Sequence, residues 1–430
     1  MRPRAVEQSR RPRADHPSQR ARAAHRTPAS PGPERVAWID AARGLAIVLV
    51  VLMHTVDWLT GAGLHLGWWY TLDPAFSALR MPMFFAVSGL LGQGWVRARW
   101  PDLLSRKVTN LVWVYLAWQP IGSLAALASS RVSGESLDPV RMLASLAATP
   151  LRPRFELWYL WALVVFFLLA RATLRRPILF QIGCAAVVSA LWLTPATAAG
   201  NLGWNGVPRY YLFFLLGCHH RPLLTWLADL CRRRVLVAAS LVLAWAALAI
   251  SIAATGADRL PGPGLAVRIA GLGAGIALAG WLARWRLLTY LGARTMQIYL
   301  AHTPLLIVLA MLVHDSPLPA LAAGQGDPAG HAGPAGTAVA HPAVAALVTV
   351  LPGLAAAAAV GAAILLHHRL VSTRARMLYA APPLLVRGTG FLLDVAARTP
   401  PRVSRVPAAT GPAGVPHPRS PADKLLVNGA

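Results

Sequence analysis

Charged residues are scarce in this chain. Only 13% of its 430 residues are Asp, Glu, Lys or Arg, about half the ~25% of an ordinary soluble domain, and that excludes a typical soluble globular fold. Acid is scarcest: 16 Asp and Glu stand against 41 Lys and Arg, for a formal net charge of +25. Cysteine is nearly missing. Cys184, Cys218 and Cys231 show no Cys-x-x-Cys spacing, which argues against a disulfide framework or a zinc site and leaves them as small apolar packers. No metal ligand set is read elsewhere. The first 35 residues contain no apolar run, so they lack the core of a secretory signal. Strand-like alternation of polar and apolar residues is also wanting, which leaves helices as the regular structure.

What is present is apolar surface and segregated charge. Hydrophobic residues make up 56% of the chain and mean hydropathy is +0.50. Residues 1–35 and 367–430 hold 18 basic and 5 acidic residues; residues 36–366 hold 23 and 11. A basic footprint for DNA or RNA sits on a folded soluble face, so membrane lipid rather than nucleic acid is the expected partner of this charge. The organisation that follows is a disordered basic tail over 1–35, a transmembrane domain over 36–370, and a basic, Pro-rich and mostly disordered tail over 371–430.

A spanning helix needs ~20 mostly apolar residues. Ten runs qualify as candidates: 36–58, 76–95, 108–128, 157–170, 177–194, 209–219, 235–254, 265–282, 288–313 and 343–366. The fourth and sixth are short, and the sixth is open to extension back to Gly203. Cytoplasmic loops concentrate Lys and Arg. With the N-terminus inside, the inner segments collect 31 of the 41 basic residues and the outer segments six; four fall within spans. The expected fold class is therefore all-α: a polytopic integral membrane protein of about ten transmembrane helices, both termini cytoplasmic, in the cell (inner or plasma) membrane. A homo-oligomer is compatible with it.

Ionisable groups inside a bilayer cost ~2.5–3.5 kcal/mol each on insertion scales and are functional candidates by default. The first span, Trp38 to Trp58, carries four: Asp40, Arg43, His54 and Asp57. At 100° per residue Arg43 and His54 lie within ~20° of one face and ~16 Å apart along the axis, with the two aspartates to either side. Such a stripe belongs against protein or a wet cavity. The bland alternatives to a functional stripe are interfacial solvation for Asp40 and Asp57, snorkelling for Arg43 and, least readily, packing against a carbonyl for His54. Ser88-Gly89 in the second span reads first as a small-residue packing site. In the ninth span Pro304 implies a kink near His302, which serves either as packing glue or as a partner to the site. Glu156 precedes Trp158 and Tyr159 at an outer boundary, where aromatics form an interfacial belt or a platform for a sugar ring.

Together these segments resemble the membrane acyltransferase-3 superfamily. The first span matches its Asp-x-x-Arg-Gly and later histidine at Asp40, Arg43, Gly44 and His54. The second matches Arg-x-Pro-x-Phe-Phe-x-x-Ser-Gly at Arg80, Pro82, Phe84, Phe85, Ser88 and Gly89. Leu157 to Leu160 match a Leu-Trp-Tyr-Leu block. Gly292, Ile298, Tyr299 and His302 match a block near the end. The order agrees over roughly 34–370. One departure is Asn110, where many members have an arginine after the Arg106-Lys107 pair. That Asn, the Arg-Met-Pro form of the second helix and Pro382-Pro383 look like the branch related to fucose 4-O-acetyltransferases.

The resemblance implies transfer of an acyl group, usually acetyl, from cytoplasmic acetyl-CoA to a hydroxyl of a carbohydrate, glycolipid or other cell-envelope acceptor. With a reference pKa of ~6.5, His54 suits the work of general base, with Asp57 to orient it. Arg97, Arg99, Arg106 and Lys107 form a candidate phosphate cluster, with Arg43 for the pyrophosphate or pantetheine end of CoA. Positive-inside topology is the bland account of that cluster. Ser88 or Arg80 would serve a developing oxyanion; Ser88 as an acylated nucleophile lacks a base beside it in sequence. Asp40, Arg80, Glu156, Trp158, Tyr159 and His302 are expected to support the site or bind the acceptor. A transporter or flippase of glycan intermediates is the competing reading, though no inverted repeat of the kind transporters show links 36–195 with 209–366.

Overall fold

The computed structural model describes residues 36–130, 138–192, 200–257, 260–323 and 342–398. Among these it is helical throughout, with no strand. In chain order the helices are α1 (Ala37–Gly61), α2 (Gly67–Arg97), α3 (Thr109–Ala128), α4 (Pro139–Ala148), α5 (Trp158–Ala172), α6 (Ile178–Trp192), α7 (Leu202–His219), α8 (Arg221–Arg233), α9 (Val235–Thr255), α10 (Pro263–Leu282), α11 (Arg286–Ala293), α12 (Thr295–His314), α13 (Leu318–Ala322), α14 (Pro342–Val371) and α15 (Pro383–Arg398). A helical turn at Trp100–Asp102 and a π-helical turn at Leu103–Val108 lead straight into α3.

All ten apolar runs of the sequence fall on helices, the ninth on two of them, α11 and α12, separated at Arg294. Seven described helices are long and apolar enough to cross a membrane. The other three runs are shorter or more polar. α5 and α6 have 15 residues each, about 22 Å at 1.5 Å per residue, against a hydrocarbon core of ~30 Å. α7 starts at Leu202, one residue before the furthest extension expected. Asn201 caps it by accepting from the Gly203 and Trp204 amides.

Side chains too small to separate backbones set the helix positions around the core. A Cβ on Gly44 would overlap the Leu288 carbonyl, and one on Gly292 would overlap the Asp40 carbonyl, so α1 and α11 touch backbone to backbone. Gly89 and Gly217 do the same for α2 and α7. This is the close approach that small residues allow where lipid offers no hydrophobic drive between helices. Phe85, Phe166, Phe167, Phe213 and Phe214 fill the space among α2, α5 and α7 and are fully buried.

The C-terminal region needs one adjustment. The part of the expected tail that is described folds: Arg374–Leu378 forms a 3-10 turn and Pro383–Arg398 forms α15. Asn110 accepts from the Ala381 amide at 2.9 Å, and the Trp113 and Trp118 indoles donate to the Met377 and Leu378 carbonyls at 2.7 and 2.8 Å. Asn110, the departure noted from sequence, is thus tied to the residue that precedes Pro382-Pro383, another branch-like feature far along the chain. The tail over 1–35 and the remainder beyond 398 lie outside the described residues.

Candidate active site

His54, late in α1, meets residues from three directions. Its Nδ1 lies 3.7 Å from Asp57 Oδ2 and 3.7 Å from Glu156 Oε1. The Asp57 contact follows from i,i+3 geometry on one helix. The Glu156 contact is tertiary, made by the turn that enters α5. On the third side the His302 ring of α12 lies 5.4 Å from the His54 ring, centroid to centroid. His302 is fully buried; its Nδ1 is 2.7 Å from the Tyr299 carbonyl and its Nε2 is 3.3 Å from the Thr303 hydroxyl. These contacts hold the His302 ring beside that of His54, tilted 38° to it. Both carboxylates are at ion-pair rather than hydrogen-bond distance from His54, which is common in a site without substrate.

Tyr299 organises what lies around this centre. Its hydroxyl donates to the Glu156 carbonyl, and its ring packs edge-on against Tyr159 at 5.5 Å. The Tyr159 hydroxyl is 2.5 Å from Ser88 Oγ, which also donates to the Phe84 carbonyl at 2.9 Å. Tyr299 forms a wall of two cavities. One, of about 150 Å³, is lined by Arg43, Lys107, Ser88, Tyr159 and Thr295 among others. The second, of about 200 Å³, is lined by Glu156, Arg154, Trp58, Trp118, Phe155 and Thr303 among others. α12 supplies Tyr299, Leu300, Thr303 and Pro304 to the latter. Pro304 removes the amide that would bond the Leu300 carbonyl, at the level where the cavity opens.

The structure sorts the residues named from sequence. His54, Asp57, Glu156 and His302 come together. Arg43, Lys107, Ser88 and Tyr159 line one cavity. Arg43 pairs with Asp40 at 3.6 Å. Trp158 does not reach this centre; its ring covers Gly206 and stacks near Phe85 and Tyr210. Arg97 and Arg106 stand on the exposed surface, and only Lys107 of that cluster reaches the cavity. The π-helical turn carries Lys107 over the Phe167 ring, 5.3 Å from its centroid, while Arg106 points outward. Arg80 is buried and paired with Asp73 at 2.8 Å. It lines a separate small cleft with Asp57, Tyr70 and Asp73, so of the two oxyanion candidates only Ser88 faces the Arg43 cavity. Among the described residues no cluster of His, Cys, Asp and Glu is arranged to hold a metal ion. Sequence reasoning missed the dividing role of Tyr299, and it missed Arg154, Phe155 and Trp118. Nothing in their local pattern marks them.

The fold is a helical bundle with membrane-length apolar helices, two cavities that share Tyr299, and a His54–Glu156–His302 cluster beside one of them. Comparison with known proteins agrees: the chain belongs to the acyltransferase-3 family, whose model, described as an acyltransferase domain, matches residues 36–366. It is also similar to nodulation protein NolL of Sinorhizobium fredii, 30% identical over 188 residues, 41% of this chain. The match spans about half, 46%, of that relative's length. No solved structure matches.

Proposed function

We propose that the chain is an O-acyltransferase of the cell membrane that moves an acetyl group from cytoplasmic acetyl-CoA to a hydroxyl of a carbohydrate, glycolipid or other envelope acceptor. The observation that carries this reading is the pair of cavities that share Tyr299 as a wall, with the His54 imidazole 3.7 Å from Glu156, a lining residue of one of them. The Arg43 cavity receives the donor. CoA is polyanionic, and Arg43 and Lys107 offer it cations in a half-buried setting where charge-assisted contacts are strong. The Glu156 cavity receives the acceptor, with Trp58 and Trp118 as apolar walls and Glu156, Arg154 and Thr303 as hydrogen-bonding groups.

His54 takes the proton of the attacking hydroxyl. The hydroxyl oxygen bonds to the thioester carbon, the carbon–sulfur bond breaks, and the proton passes to the departing CoA thiolate. His302 and the two carboxylates orient the imidazole and stabilise its charged form. Ser88 donates to the Phe84 carbonyl and so accepts from Tyr159; by rotating a hydroxyl out of this hydrogen-bond chain, the pair would donate to the developing oxyanion. Tyr159 is no base, so direct transfer is favoured over acylation of Ser88.

The test is incubation of membranes carrying wild type or His54→Ala with labelled acetyl-CoA, followed by mass spectrometry of the labelled product. Label should reach a saccharide or lipid-linked product in wild type alone, at equal membrane yield. Wild-type turnover in the mutant removes His54 from the mechanism. Saturable glycan transport with no acyl transfer restores the transporter reading.

A further inference from the structure

Phe155 adopts φ 54°, and among the described residues it is the one non-glycine residue with positive φ. An aromatic residue in left-handed backbone is an outlier. It carries the Cβ clash that glycine escapes, and it lacks the short polar side chain with which Asn or Asp relieves that conformation. Outliers of this kind persist only where the surroundings over-determine them, and they gather at functional sites. This one immediately precedes Glu156.

The surroundings that hold it are specific. The Phe155 ring packs on Gly122 of α3, where an added Cβ would stand 3.1 Å from the ring's Cδ2. On its other side the Arg154 guanidinium lies 5.1 Å from the ring centroid, held in turn by a hydrogen bond to Ser145 of α4. One residue later the Glu156 carbonyl accepts from the Tyr299 hydroxyl, and the chain turns into α5. The reversal of backbone handedness at Phe155 therefore sits between a clamped ring and a clamped carbonyl. Its product is the direction of the Glu156 carboxylate, 3.7 Å from His54.

We infer that Phe155 is a positioning residue: its left-handed turn, wedged by the ring against Gly122, aims Glu156 at His54. The inference rests on the proposed reading that His54 is the base of the reaction. A plain packing role makes the opposite prediction in one respect. If the ring only fills space, Phe155→Gly removes more than Phe155→Ala and is at least as damaging. If the backbone direction matters, glycine can keep the left-handed turn without the ring, whereas alanine relaxes out of it and turns Glu156 away.

The experiment measures incorporation from labelled acetyl-CoA in membranes of the native cell carrying the full chain as wild type, Phe155→Gly, Phe155→Asn, Phe155→Ala or Gly122→Ala. Detergent-extracted yield and thermal inactivation serve as controls for folding. The expected order of kcat is Gly, then Asn, then Ala, with about tenfold between the ends, the scale of the left-handed penalty for a residue with a Cβ. The donor KM should stay constant across the series. Gly122→Ala, which crowds the ring without touching Glu156, should lower kcat a few-fold in the same way. Phe155→Ala at or above Phe155→Gly in kcat overturns the proposal, as does a series that differs only in yield. His54→Ala and Glu156→Gln run alongside. Inactive His54→Ala with the Phe155 order reversed discards the turn and keeps the site. Active His54→Ala discards the site and the proposal with it. Should the Phe155 variants fold poorly, Gly122→Ala decides it by the same split between kcat and donor KM.

Discussion

The two cavities that share Tyr299 differ in charge and in lining. The Arg43 cavity has two cations, Arg43 and Lys107, a hydroxyl pair, Ser88 with Tyr159, and no carboxylate among its described lining residues. The Glu156 cavity has one residue of each sign, Arg154 and Glu156, and the indoles of Trp58 and Trp118. A cavity of one sign selects an anion by charge, whereas a cavity of balanced sign with aromatic walls selects by shape and hydrogen bonding. On the proposed assignment, donor and acceptor are told apart by the chemistry of the two linings. His54 contacts the balanced side through Glu156, which fits a base that acts on the acceptor and not on the donor.

Substitutions can break this division or sharpen it. The largest effect belongs to the proposed base: His54→Ala should cut turnover about 10³-fold, within the range for loss of a general base, with donor affinity unchanged in an equilibrium binding assay. Tyr159→Phe removes a hydroxyl from the donor side alone. It should lower kcat about 100-fold, the scale of one lost oxyanion donor, and leave both KM values near wild type in steady-state kinetics. Lys107→Ala should raise the donor KM about tenfold, as loss of one charge-assisted contact does, without altering kcat. That increment should shrink as ionic strength rises. If Lys107→Ala acts on the acceptor KM instead, the two cavities are assigned the wrong way round. Smallest is Asp73→Asn, outside both cavities. It leaves buried Arg80 without its ion-pair partner, and because Asp73 is itself partly exposed the cost should be about 1–2 kcal/mol. It should be seen as earlier thermal inactivation with kcat intact.

Much of the fold was legible because a membrane helix writes itself as a run of apolar residues, and all ten runs became helices. α15 was not legible. Its pattern is broken by Gly388 and Gly390, and it keeps Leu384, Phe391 and Leu392 exposed, so it imitates tail composition. In the site, His54, Glu156 and His302 announced themselves as ionisable groups in or beside apolar stretches. Arg97 and Arg106 were grouped with Lys107 because charge alone does not tell which face a residue takes. The π-helical turn at Leu103–Val108 decides that, and it has no signature in composition. Of the two roles open to Arg80, oxyanion donor or structural support, its pairing with Asp73 two turns earlier on the same helix fits support. The left-handed turn at Phe155 is a matter of backbone sign, which residue type conceals whenever the residue is not glycine.

The hydrogen bonds from Asn110, Trp113 and Trp118 to residues 377–381 have a practical consequence. The family match stops at 366, but the folding unit does not. A gene trimmed at that boundary, or a chimera exchanging 36–366 between relatives, would leave two indoles and an amide on α3 facing nothing. Trp118 is also a wall of the Glu156 cavity, so the cut would be felt at a site built by other helices. The smallest transplantable cassette of this enzyme therefore ends after the strap over α3, at the close of α15.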